Sequence, residues 1–111
     1  MLRGAEAESL VVEALVGQGW QLLARNWRGG GGELDAVVQR RGELRFVEVK
    51  LRDPEDPLSD ESVNATKRTR LRRVGRLWLH ERGEPDREVC FLVAMVDGAG
   101  GIQWMDNAFD G

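Results

Sequence analysis

"ELDAVVQRRGELRFVEVKLR", Glu33 to Arg52, decides the fold of this chain. Its two halves alternate well enough to be strands, and "RRGE" between them reads as a tight hairpin turn. With Arg41 and Gly42 as the turn, Arg40 faces Glu43, Val38 faces Arg45 and Val37 faces Phe46. Continuing the count, Asp35 faces Glu48 and Glu33 faces Lys50, with Glu33 turned the same way as Asp35. In the second strand Phe46, Glu48 and Lys50 share one face, while Val47, Val49 and Leu51 share the other. Opposed carboxylates on adjacent strands repel and weaken a sheet. Desolvated charges are expensive unless they are paired or hold an ion. Asp35 opposite Glu48 is therefore a cost with no local return unless a cation lies between them. A one-residue slip of register would place the two acids on opposite faces.

Working outward, "GAEAESLVVEALVGQGW" reads as a helix from about Ala5 to Val16, ended by Gly17 and Gly19. "WQLLARNWR" is a strand, and the glycine run from Gly29 to Gly32 is expected to be a flexible connection. Its freedom beside the acids would allow a mobile loop that orders on substrate. It lacks the Lys-Ser/Thr of a phosphate-binding P-loop. Downstream, "RDPEDPLSDE" is a loop, because Pro54 and Pro57 prevent regular structure. A long helix from about Asp60 to Arg82 follows. Ser59 is its N-cap, Asp60 and Glu61 suit its positive end, Gly75 weakens its middle and Gly83 suits its stop. "EVCFLVAMV" is a continuous apolar run, the mark of a strand covered on both faces. "GAGG" turns the chain into a last strand, "IQWMD". The order α-β-β-β-α-β-β is an α/β fold, a mixed sheet flanked by two helices. The 111 residues suffice for a single domain, 1–111.

Composition narrows the chemistry. No apolar run approaches the ~20 residues of a membrane helix, and the N-terminus lacks the apolar core of a signal peptide. With Cys90 as the lone cysteine, no intrachain disulfide forms, and a cytoplasmic setting is expected. One histidine, His80, near a helix end, reads as solvent-exposed. A structural zinc site needs more Cys and His than the chain has. Catalysis must rest on carboxylates, lysines, arginines or a hard cation. Net charge is −3, yet Lys67 to Arg76, "KRTRLRRVGR", contains no acid. Such a local patch can bind phosphates while acids elsewhere hold the total down.

The helices repeat the oddity of the strands. Glu8 shares a stripe with Val11, Val12 and Leu15, and Lys67 lies on the line of Val63, Leu71, Val74 and Trp78. Five charged residues, Glu8, Asp35, Glu48, Lys50 and Lys67, thus point at or near the core. Each alone reads as paired or snorkelling. As a set they suggest a site for Mg²⁺ or Mn²⁺ and phosphate chemistry, with oxygen ligands and no soft ligand competing. The other basic residues of the second helix, Arg68, Arg70, Arg72, Arg73 and Arg76, fan out towards solvent, where a solvated face and nucleic-acid backbone contact are both open. Trp20, Trp78 and Trp104 read as core. Trp27, beside Arg28, packs or stacks on a base.

Asp35, twelve residues, then "EVK" resembles the signature of the PD-(D/E)XK nucleases, the restriction-endonuclease-like superfamily. The longer pattern resembles a family of small bacterial proteins, the YraN family. The matching stretches are "AESLVVEALVGQGW", "NWRGGGGELD", "FVEVKLR", Lys67 and "NAF", which cover nearly the whole chain. The chain departs from the family's look at Ala7, at Leu34, and at Cys90 and Leu92, where an arginine and an aspartate are usual. The resemblance implies a restriction-endonuclease-like fold and a metal-dependent endonuclease acting on DNA, branched or damaged DNA included. Asp35 and Glu48 would bind one or two Mg²⁺ or Mn²⁺ ions, with the Val49 carbonyl as a further ligand and Glu8 reaching the ion through water. Lys50 would orient or help deprotonate the attacking water. Lys67 would sit by a phosphate or tether Glu48. Arg28, Arg52, Arg68, Arg70 and Arg72 complete the basic set expected to contact nucleic acid. The small surface suggests a homodimer. The alternative is a non-catalytic nucleic-acid-binding or adaptor protein that keeps the fold.

Overall fold

The computed structural model describes residues 2–52 and 65–110. The elements follow the expected order: α1 (Gly4–Gly17), β1 (Gln21–Gly29), β2 (Gly32–Arg40), β3 (Glu43–Leu51), α2 (Ala65–Glu81), β4 (Cys90–Val96) and β5 (Ile102–Asp110). The five strands form one mixed sheet in the order β1-β2-β3-β4-β5. Among the described residues only the β3–β4 pair is parallel. A parallel neighbour demands a crossover, and the chain makes it through α2. The expected start of this helix, with Ser59, Asp60 and Glu61, lies outside the described residues. Its end is as expected: Gly83 has φ 79°, and the Glu84 N–H bonds the Leu79 carbonyl at 2.9 Å.

The helices cover opposite faces of the sheet. Ala7, Val11 and Leu15 of α1 pack on Ala36, Val38, Val47, Leu92, Ala94 and Val96. Leu71, Val74 and Trp78 of α2 pack on Val37, Leu44, Phe46, Phe91 and Val93. The apolar run of β4 follows from this, since it is buried from Phe91 to Val96 under both helices. Trp20 joins the α1 side and Trp78 the α2 side, and Trp104 is a half-buried flank of the α1 cluster.

The β1–β2 and β2–β3 hairpins are tight. Arg41 and Gly42 have φ 53° and 80°, and the β2–β3 ladder pairs Arg40 with Glu43, Val38 with Arg45 and Val37 with Phe46, the register expected. The glycine run differs from expectation. Gly29 pairs with Gly32, and Gly30 and Gly31 form a two-residue turn with φ 59° and 82°. Two adjacent left-handed positions are what such a turn requires, so the glycines make a compact hairpin rather than a loose connection. The Arg73 Nε donates to the Gly30 carbonyl at 2.9 Å and pins the turn to α2.

Gly75 has a steric purpose. A Cβ there would lie 2.4 Å from Phe46 Cε2 and 2.8 Å from Cδ2. Phe46 is held edge-on by Trp78 and Phe91, with centroids 5.8 and 5.4 Å away, so its ring has no room to yield. Alanine would gain about 1 kcal/mol in helix propensity. Overpacking of this kind costs about 1–3 kcal/mol, and a contact so far below 3 Å lies at the costly end. Gly75→Ala is expected to lower the urea midpoint by a net loss on the order of 1–2 kcal/mol.

Candidate functional site

The site forms where strand alternation breaks. Ala36 and Val38 pack with the α1 cluster, and strict alternation would send Leu34 there too. Leu34 instead packs with the α2 cluster. β1 does the same: Arg25 Nη2 donates to Ser9 Oγ of α1 at 2.9 Å, whereas Trp27 packs with the α2 cluster. The paired positions Arg25↔Ala36 and Trp27↔Leu34 flank the swap, so Asn26 of β1 lies level with Asp35 of β2. The β2–β3 ladder ends at Ala36↔Val47, one step before Asp35 would meet Glu48. Freed from the ladder, the Asp35 carboxylate turns toward β3, and its Oδ2 accepts the Val49 N–H at 2.8 Å. Val49 thus enters the site through its amide.

Asp35 and Glu48 line the same cleft on one side of the sheet, close enough that the Glu48 charge acts on Asp35. Burial first, and then the Glu48 charge, push the Asp35 carboxyl up to about 7, against the pull of the Val49 N–H. A proton held between two acids is one answer to the repulsion. Lys67 supplies another. Its Nζ lies 2.6 Å from Glu48 Oε1, the tether expected, and Glu48 is buried at 7% exposure. Both acids border a cleft of about 580 Å³ with Lys67, Arg28, Glu33, Arg70, Leu71 and the glycine turn.

A second pair of acids stands beside the first. Burial, then the Glu33 charge, raise the Glu8 carboxyl above its ordinary value, with Glu48 adding to the rise and Arg25 and Asn26 opposing it. Glu33 does not meet Lys50. It sits beside Arg28, with Arg28 Nε 3.6 Å from its Oε2, and beside Glu8. The face swap at Asp35 explains the difference, because it reverses the direction in which Glu33 points.

The structure therefore brings Asp35, Glu48, Lys67, Arg28 and Arg70 to one cleft, with Glu8 beside it, within electrostatic reach of Asp35 and Glu48. Lys50 is half-buried at the far end of β3 from the turn and does not line the cleft. Arg52 lies elsewhere, in a hollow of about 210 Å³ with Met95, Asp97 and Gln103. Arg72 is turned to another part of α2, lining hollows with Arg76 and Pro85. Arg68 is half-buried and is not among the cleft walls. Helical periodicity separates them: Lys67, Arg70 and Arg73 follow one line of α2, and Arg68 and Arg72 another. His80 is exposed, and Trp27 is packed, half-buried, with its ring over Gly29. Asn26 is the residue that sequence reasoning missed. The one signal was the residue type, since an Asn inside a strand pattern is a candidate for the left-handed region it adopts here, φ 53°.

As a host for a hard cation, the donor set fits. It is all oxygen, and it contains a carboxylate pair that a positive charge would relieve. Among the described residues, no three His, Cys, Asp or Glu side chains gather into a metal cage. The protein's share would be the Asp35 and Glu48 oxygens, leaving room for water and phosphate. This is how Mg²⁺ is commonly held, by one or two carboxylates plus substrate. Among the described residues, no helix is long and apolar enough to cross a membrane.

Comparison with known proteins agrees with the motifs. Residues 7–96 match the model of "Uncharacterised protein family UPF0102". A UPF0102 protein of Gloeobacter violaceus is 42% identical over 114 aligned residues, covering 96% of this chain and 90% of that one. A UPF0102 protein of Ruegeria pomeroyi is 36% identical, covering 97% and 88%, and one from Synechococcus sp. is 40% identical, covering 95% and 82%. The swapped hairpin, the acid pair and the basic helix are thus those of a chain that belongs to the UPF0102 family, the YraN family its motifs resemble.

Proposed function

We propose that the protein is a Mg²⁺- or Mn²⁺-dependent nuclease that hydrolyses phosphodiester bonds of DNA. One observation carries this reading: two carboxylates from neighbouring strands line the wall of one open cleft, and burial with the Glu48 charge pushes the Asp35 carboxyl up to about 7. A structural role would be served as well by one acid and one amide. A divalent cation bound there lowers the pKa of its water and neutralises charge on phosphoryl oxygens. Asp35 and Glu48 would hold it. Lys67 keeps Glu48 oriented, and Arg28 and Arg70, on two rims of the cleft, bind the phosphates on either side of the scissile one. Lys50, which does not line the cleft, is given no part in the hydrolysis. Arg70, Arg73 and Arg76, at spacings of three along α2, continue the positive charge away from the cleft. Contacts of this kind read backbone rather than sequence, so binding should weaken steeply with salt.

Incubation of wild type and Asp35→Ala with duplex, branched and single-stranded DNA, with Mn²⁺ and with EDTA, tests the proposal. Cleavage that needs both Mn²⁺ and Asp35 is expected. The Lys67–Glu48 ion pair favours a second reading, because the protein already supplies a cation to one acid. In that case the chain is a non-catalytic nucleic-acid-binding protein, and DNA binds with no cleavage and no effect of Asp35→Ala.

A further inference from the structure

We propose that Asn26 is a positioning residue, which holds the Glu8 and Glu33 carboxylates together beside the Asp35–Glu48 pair; its link to catalysis rests on the nuclease reading above. Asn26 sits inside β1 with φ 53°. A non-glycine residue in this left-handed region in mid-strand is uncommon, and asparagine is among the few that adopt it readily. Its backbone performs the face swap, since Arg25 before it reaches α1 and Trp27 after it packs under α2. Glycine would make that turn with less strain. What glycine lacks is the amide. With its nitrogen facing the carboxylates, Asn26 donates to Glu8 Oε1 at 2.7 Å and to Glu33 Oε1 at 2.9 Å. The two N–H groups of one amide are thus divided between two acids, one from α1 and one from β2. Two carboxylates at such proximity repel, and a neutral double donor lets them stay without cancelling their charge. Glu8 is thereby kept within electrostatic reach of Asp35 and Glu48.

The test compares wild type with Asn26→Gly and Asn26→Asp. Asn26→Gly keeps the left-handed backbone and removes only the donors. Its melting temperature is expected to stay level or rise by a few degrees, and a crystal structure is expected to show Glu8 and Glu33 swung apart. Mn²⁺ affinity is expected to fall about 10- to 100-fold, the range for groups that orient metal ligands, and kcat to fall with KM for DNA unchanged. Asn26→Asp adds a third negative charge and should lower both melting temperature and Mn²⁺ affinity. If Glu8 and Glu33 keep their places in Asn26→Gly, or if its Mn²⁺ affinity matches that of a wild type that binds the ion, the inference is overturned. If the wild type binds no Mn²⁺, the nuclease reading fails instead. The positions of Glu8 and Glu33 in Asn26→Gly then decide the positioning role alone.

Discussion

Asp35→Asn is expected to melt at a higher temperature than the wild type at pH 8, and to bind no Mn²⁺. Asp35 is held at about 7 by burial and then by Glu48, against an ordinary value of 3.8. A carboxyl raised on folding binds more protons in the native state than in the unfolded chain. Stability from this group is therefore full below about 4 and is lost as pH rises through about 7. Asparagine escapes that loss. Its oxygen still accepts the Val49 N–H, and its amide donates to the Glu48 carboxylate. The gain at pH 8 should be on the order of 1–2 kcal/mol and should vanish towards pH 4, which thermal melts across this range would show. The same substitution removes a charged oxygen from the cation site, so ion binding and cleavage go together. A variant that is firmer and inert is the signature of a strained site kept for chemistry. A variant that is weaker at pH 8 would mean that the acid pair is not a burden on the fold.

Lys67→Met should act in the opposite direction. Its ammonium neutralises the buried Glu48, and methionine keeps most of the length of the side chain without the charge. Removing one partner leaves a buried carboxylate whose desolvation is uncompensated, which costs roughly 1–3 kcal/mol. In EDTA the variant should melt several degrees below the wild type. Mn²⁺ should restore more stability to it than to the wild type, because a bound cation takes over the role of the ammonium and stabilises the native state by mass action. Differential scanning calorimetry with and without Mn²⁺ checks both statements. An equal Mn²⁺ effect in the two proteins would separate Lys67 from the cation site.

Much of this architecture was legible in the sequence because it rests on short-range rules. Arg41-Gly42 sets a hairpin register that places Val37 against Phe46, and the unbroken apolar run of β4 demands a cover on both faces. The opposition of Asp35 and Glu48 followed from the same count. What escaped was set by tertiary packing. The reversal of faces at Asn26 and Asp35 has no periodic signal, because the two strands invert together. Glu33 was consequently assigned to Lys50 rather than to Glu8. Gly75 looked like a flaw in a helix until Phe46 lay against it. Arg72 and Arg52 share a basic stretch or a motif with the site, but helical phase and strand length carry them elsewhere.

Proton release on ion binding probes the acid pair most directly. Mn²⁺ is titrated into the wild type and Asp35→Asn at pH 6, in two buffers of different ionisation enthalpy. Binding to the wild type should release about one proton per ion, since Asp35 must give up its proton to bind, and Asp35→Asn should show no binding heat. A wild type that binds no Mn²⁺, or that binds it without proton release and no more tightly than Asp35→Asn, would contradict a cation site built on Asp35 and Glu48.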